Sequence, residues 1–255
     1  MSKLLTDVDP WITAVLFAVA MLAGWAVGWW RGRSLRSETR EAPPHKFNDA
    51  ILAVLGLLLA FTFAMSLGKH DHRREMVLAD SNSIGDFYTC VGLLREPVRG
   101  KLQASVRQYA EHRLSVGHFS MDEAALQRKL DEIQEMHSHM QSLVEEAVDG
   151  GTPVVVPLVN TFNALTSNHA ARLAAGRDRL PGSIVLLLFL AAVLSMGVVG
   201  RQQGAGQAWR PASTIGFAAL VCMVVWVILD LNQPDRGWIT VSQEPLQRLL
   251  KGMEK

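Results

Sequence analysis

Residues 50–68 carry no charge, and without a break they run into Lys69, His70, Asp71, His72, Arg73, Arg74 and Glu75. As a helix, the uncharged run is just long enough to cross a hydrocarbon core of about 30 Å. No proline intervenes, and Gly68 is the only weak helix former at the junction. The stretch predicts one long helix that starts in lipid and ends in water.

Three more apolar runs accompany it, at residues 11–30, 183–200 and 212–229. Hydrophobic residues make up 49% of the chain and are gathered into these runs, which is not the pattern of an ordinary soluble domain. The first run has Trp11 at one end and Trp29 and Trp30 at the other, where amphipathic indoles suit the two interfaces. It is too long for a cleavable signal, and Arg-rich sequence follows it instead of a small-residue cleavage site. Gly24 and Gly28 make a GxxxG step. It either admits a second helix at close range or reflects the general tolerance of glycine in membranes. Asn48, Asp49, Asp230 and Asn232 fall at span ends, where hydration is cheap.

Residues 69–181 form a polar insert whose Lys/Arg and Asp/Glu nearly cancel. It reads as four amphipathic helices. The first continues the second span through Val77, Ile84, Phe87, Tyr88 and Val91, ending near Gly92 or Pro97. The second covers residues 98–116, with Leu102, Val106, Tyr109, Ala110 and Leu114 on one face, and Gly117 closes it. The third opens on Ser120 with Glu123 three residues later, a capping-box spacing. Its stripe is Leu126, Leu130, Ile133, Met140, Leu143 and Ala147, and Gly150–Gly151 ends it. The fourth starts near Pro153 and carries Leu158, Val159, Phe162, Leu165, His169 and Leu173. Val154–Val156 as a strand is rejected, because it has no partner strand.

The expected fold class is an all-α membrane protein. Four transmembrane helices form two hairpins (residues 1–68 and 182–230), with a soluble helical bundle (69–181) inserted between the second and third. A tail (231–255) follows, with a turn at Pro234–Gly237, an extended run over 238–241 and an amphipathic end carrying Leu246, Leu249 and Leu250. Four crossings place both termini and the bundle on one side of the cell membrane. The two connectors, residues 31–46 and 201–211, hold seven Lys/Arg, so the positive-inside rule favours cytoplasmic connectors and an extracytoplasmic bundle.

Net charge is +1, which gives no bulk attraction to nucleic acid. Cys90 and Cys222 lie in different zones and imply neither a disulfide framework nor a metal cluster. His70 and His72, like His137 and His139, are two residues apart and point in different directions on a helix, so both pairs read as solvated polar residues and no metal site is expected. No HExxH, GxSxG or phosphate-cradling loop is present. No catalytic residue, cofactor or enzyme activity is therefore expected. The spans hold almost no ionisable group, which argues against a proton-coupled pump.

Two constellations stand out. Leu57, Phe61, Met65 and Gly68 share a stripe on the second span, either helix–helix core or pore lining. Asp80 lies three residues after Val77 and four before Ile84, on the inward face, with Asn82, Ser83 and Asp86 close by. A buried carboxylate needs a partner, and Arg172 or Arg177 on the fourth insert helix can supply it. The expected buried polar network is Asp80, Asn82, Arg172 and Arg177, serving either as an inter-helix salt bridge or as a ligand or ion contact.

Two stretches, GLLLAFTFAMSLGKHDHRREMVLADSNSIGDFY (residues 56–88) and LDLNQPDRGWITVSQEPLQRL (residues 229–249), resemble the bestrophin-like membrane proteins, a bacterial family. The likeness runs over roughly residues 12–250 and includes the order of parts. It is more distantly similar to the bestrophins, pentameric ion channels in which the second span lines the pore and a cytosolic helical region continues it. The aromatic-rich Asp-Arg-Trp-Trp-like run of those channels is replaced here by Asp71-His72-Arg73-Arg74, and the acidic calcium clasp has no counterpart in the tail. The resemblance thus implies an oligomeric channel for an inorganic ion, without calcium gating. The runner-up is a membrane-anchored sensor or scaffold that binds a ligand or partner through its bundle. Expected partners are the lipid bilayer and further copies of the chain. The bestrophin likeness would put the bundle in the cytosol, against the charge count. A topology reporter fused at Gly150 is expected to report the extracytoplasmic side, and a cytoplasmic signal would refute the charge argument.

Overall fold

The computed structural model describes residues 10–35, 45–116, 123–206, 211–233 and 237–254. Helices α1 (Pro10–Leu35), α2 (His45–Val91), α3 (Val98–Val116), α4 (Glu123–Asp149), α5 (Val155–Arg177), α6 (Gly182–Gly206), α7 (Pro211–Leu231) and α8 (Glu244–Met253) account for most of them. No strand occurs among the described residues, and 154–156 lead into α5. The Ser120 capping box, Gly117 and residues 234–236 of the expected turn lie outside the described residues. Four apolar helical stretches are long enough to cross a membrane. The chain divides into two compact units, Met1–Lys69 with Arg179–Ile239 and His70–Asp178 with Thr240–Lys255.

The expected continuity of the second span is present. α2 is one helix of 47 residues, about 70 Å long, and the division between the units falls inside it after Lys69. Gly68 does not interrupt it. One glycine costs a helix only about 1 kcal/mol, and the surrounding apolar run more than offsets that.

In the first unit α1 and α6 make the closest approach. A Cβ on Gly28 would collide with the Gly197 carbonyl, one on Gly32 with Arg201, one on Gly200 with Trp25, and one on Gly204 with Trp29. Lipid tails are as apolar as leucine, so helices in a bilayer associate through close packing and hydrogen bonds, and glycine permits the closest packing. The GxxxG step at Gly24 and Gly28 therefore admits a second helix, and Gly32 extends it. This contact also carries α1 and α6 past the expected span ends, so that Arg31 and Arg33 are helical and the Arg33 guanidinium lies 5.1 Å from the Trp29 ring centroid.

Around this pair Phe17, Met21, Leu188, Ala192, Met196, Val221, Val225 and Ile228 form the core, with Phe17 and Phe189 ring centroids 4.5 Å apart. Trp25 Nε1 donates to Gln203 Oε1 (3.1 Å), and Gln203 Nε2 donates to Thr214 Oγ1 (2.6 Å), tying α1, α6 and α7 together. The first part of α2 adds Leu55 to the core, and Ser66 Oγ donates to the Ile228 carbonyl at 2.9 Å.

Asp230 and Asn232 correct the expectation that span-end polar groups are hydrated, since both are buried. The Asp230 carboxylate accepts the backbone N–H groups of Trp238 (3.0 Å) and Ile239 (2.9 Å), and Asn232 Oδ1 accepts that of Leu180 (2.7 Å). Gly237 lies against the same carboxylate, where a Cβ would come within 2.9 Å of Oδ1. Asp230 thus ties the backbone at 238–239 to the end of α7, and Asn232 holds the entry to α6.

The second unit contains the rest of α2 with α3, α4, α5 and α8. Ile84, Phe87, Val91, Leu102, Val106, Ile133, Met140, Leu158 and Leu165 meet in one core. Gly151, at φ 72°, closes the α4 end in the left-handed region that glycine enters without strain. Leu246 and Met253 of α8 insert into the same core, so the amphipathic end of the tail packs in this unit.

Gly28→Leu drives a side chain into backbone and is expected to destabilise the protein by about 3 kcal/mol. Gly56→Leu, where nothing lies within 4 Å, is expected to change stability by no more than about 0.5 kcal/mol. Thermal unfolding in detergent compares the two, and equal midpoints would contradict the α1–α6 packing.

Candidate functional site

Within the second unit several charged side chains are buried together around Asp80. Asp80 projects from α2 onto the inward face set by Val77 and Ile84, and it is fully buried. Its Oδ2 accepts from Arg113 Nη2 of α3 at 2.9 Å and from Arg172 Nη1 of α5 at 2.7 Å. Arg172 Nη2 donates to Gln243 Oε1 (2.7 Å), just before α8. Three helices therefore meet at one carboxylate, and Arg172 links them to a fourth segment at Gln243.

Of the residues expected in this network, Asp80 and Arg172 are together. Asn82 and Arg177 are not: both are exposed, Asn82 beside a groove of about 870 Å³ between α2 and α8. The reason is helical phase. Asn82 is two residues from Asp80 and so points about 160° away, and Arg177 is five beyond Arg172 in the last turn of α5.

Arg113 is the main residue that the sequence reading missed. It follows Leu102, Val106 and Tyr109 at four- and three-residue steps, so the spacing places it on the buried face, but its charge disguised it. His137 corrects a second expectation. Instead of being solvated with His139, it is buried between Ile133 and Met140 on α4, and only His139 is exposed. Tyr109, His137 and His169 form a ring cluster with centroid separations of 5.0, 5.1 and 6.5 Å.

Burial raises the Tyr109 hydroxyl above its ordinary value. Burial likewise pushes His137 and His169 down to about 4, with the Arg113 charge acting in the same direction. Both imidazoles are thus neutral near pH 7. Burial alone would raise the Asp80 carboxyl, but the charges and hydrogen bonds of Arg113 and Arg172 bring it below its ordinary value. Asp80 Oδ1, Tyr109 Oη, Arg113 Nε, His137 Nε2 and His169 Nδ1 are all buried without a hydrogen-bond partner among the described residues.

The other constellation lies in the first unit. Leu57, Phe61 and Met65 are 56%, 62% and 42% exposed, and Gly68 has open space around it. At 100° per residue they lie on the side of α2 turned away from Leu55, Thr62 and Ser66, which are buried. Among the described residues no group of three His, Cys, Asp or Glu is arranged to hold a metal ion.

Four helices long and apolar enough to cross a bilayer, with no strand among the described residues, mark the chain as a helical membrane protein. The family model of the Bestrophin-like domain matches residues 14–246, and the chain belongs to that family. No curated protein and no solved structure matches it.

Asp80→Ala leaves two guanidinium groups buried without their carboxylate and is expected to destabilise the protein by about 3–5 kcal/mol. Arg177→Ala should change stability by no more than about 0.5 kcal/mol. An Arg177→Ala loss as large as that of Asp80→Ala would contradict the assigned partners.

Acid acts through the imidazoles. The unfolded chain takes up protons on them near pH 6.5 and the folded chain only near 4, so between these values acid favours unfolding. Below 3.8 Asp80 adds a loss of the same sign. The unfolding midpoint is expected to fall from about pH 6.5 to about pH 4, with a shallower fall in the double variant His137→Gln/His169→Gln. Identical profiles would rule out the buried neutral imidazoles.

Proposed function

We propose that the protein is an oligomeric ion channel of the cell membrane, its pore lined by the membrane half of α2. The observation that carries this reading is the exposed apolar stripe of Leu57, Phe61, Met65 and Gly68, turned away from the side of α2 that packs within its own chain. In a ring of copies such a stripe faces the central axis. A pore of this composition gates by dewetting at its apolar side chains, with Phe61 the narrowest ring. Family membership and the bestrophin resemblance support the reading. In this reading the four spans form two hairpins, the helical unit is inserted between them on one side of the bilayer, and the permeant species is an inorganic ion.

The second reading is a membrane-anchored sensor that binds a ligand in its helical unit. It is favoured by the unpartnered polar atoms of Asp80, Tyr109, Arg113, His137 and His169 in that core. α2 carries both the apolar stripe and Asp80, so movement at the one could pass along a single helix to the other.

Purified protein is expected to run as a ring-sized oligomer in mild detergent and to pass ions when placed in liposomes. Phe61→Ala widens the apolar constriction and should raise the flux severalfold. A monodisperse monomer with no flux would refute the channel.

A further inference from the structure

The buried cluster of the second unit has a charge that its own residues do not balance. One carboxylate, Asp80, stands against two guanidinium groups, Arg113 and Arg172. The remaining hydrogen bond given to Arg172 goes to the neutral Gln243. Among the described residues no second carboxylate reaches either arginine. Tyr109, His137 and His169 are neutral near pH 7, so one positive charge is left over where Arg113 is 4% exposed and Asp80 is fully buried. An uncompensated charge in such a place is among the most costly things a core can hold.

The unpartnered atoms show what would balance it. Arg113 Nε and the Tyr109 hydroxyl are donors, each neutral imidazole can present an N–H at His137 Nε2 or His169 Nδ1, and Asp80 Oδ1 is the one acceptor among these unpartnered atoms. Up to four donors thus surround the excess positive charge, with the three rings 5.0 to 6.5 Å apart. A metal ion fits badly, since a divalent cation would raise the excess from one charge to three. Water would satisfy hydrogen bonds and leave the charge uncompensated. A divalent anion would reverse the imbalance, and the short ring separations favour a monatomic species.

We propose that this cluster is a binding site for one small monovalent anion of halide size, held by the Arg113 Nε–H, the Tyr109 hydroxyl and the imidazole N–H groups of His137 and His169. The inference rests on the sensor reading and names the class of its ligand. It concerns the core of the helical unit and holds whatever ion α2 does or does not pass.

The test uses the full chain in detergent, exchanged into sodium gluconate and titrated with sodium bromide at constant ionic strength. The unfolding midpoint is expected to rise saturably with bromide. Tyr109→Phe keeps the ring and removes one donor, and it should weaken the apparent affinity about tenfold. Arg113→Gln removes the excess charge and should abolish the bromide dependence. Bromide-soaked crystals should show an anomalous peak within hydrogen-bonding distance of Arg113 Nε. An equal bromide response in wild type and Tyr109→Phe, or none in wild type, would overturn the proposal. Stabilisation by an uncharged solute with none from bromide would overturn the anion while leaving the sensor reading intact.

Discussion

The second unit is organised by the capture of one buried carboxylate between two guanidinium groups. Asp80 brings α2, α3 and α5 to a single point, and Arg172 reaches from there to Gln243 ahead of α8. Apolar contacts around Ile84, Leu102, Ile133 and Leu158 supply the bulk of the burial but are non-directional. Charged hydrogen bonds are directional, so the Asp80 cluster specifies which helices meet and in what register. Such a cluster tolerates little rearrangement, because any helix that leaves strands a charge.

The first unit is held together differently. Packing of α1 on α6 rests on glycines at which backbone meets backbone, and the Trp25–Gln203–Thr214 chain of hydrogen bonds links both to α7. The stripe of Leu57, Phe61, Met65 and Gly68 stays outside that arrangement, available to lipid or to another copy. α2 passes through both regimes in one helix, tied by Ser66 in the first unit and by Asp80 in the second.

Much of this was legible in the sequence. The four apolar runs gave the spanning helices, because uncharged length is a local property that no tertiary contact has to supply. The same holds for α3, α4 and α5, whose boundaries follow Gly and Pro punctuation, whereas the glycine step at Gly24 and Gly28 left close packing and simple tolerance both open. Asp80 could be placed on the inward face by counting residues from Val77 and Ile84, and its partner was narrowed to Arg172 or Arg177, between which helical spacing alone did not choose.

What the sequence could not decide was which polar groups turn inward together. Arg113 and His137 sit at helical spacing with apolar neighbours, yet a charged or titratable residue at such a position is as often a half-exposed rim residue as a core one. Only packing of His137 against Tyr109 of α3 and His169 of α5, and the hydrogen bond of Arg113 to Asp80 of α2, makes them interior. Asp230 and Asn232 looked like hydrated span ends until the backbone at 238–239 and at Leu180 came to meet them. Local pattern therefore determined the helices, their lengths and their apolar faces. Tertiary structure alone decided the burial of charge, because the free energy of a buried polar group is set by partners distant in sequence.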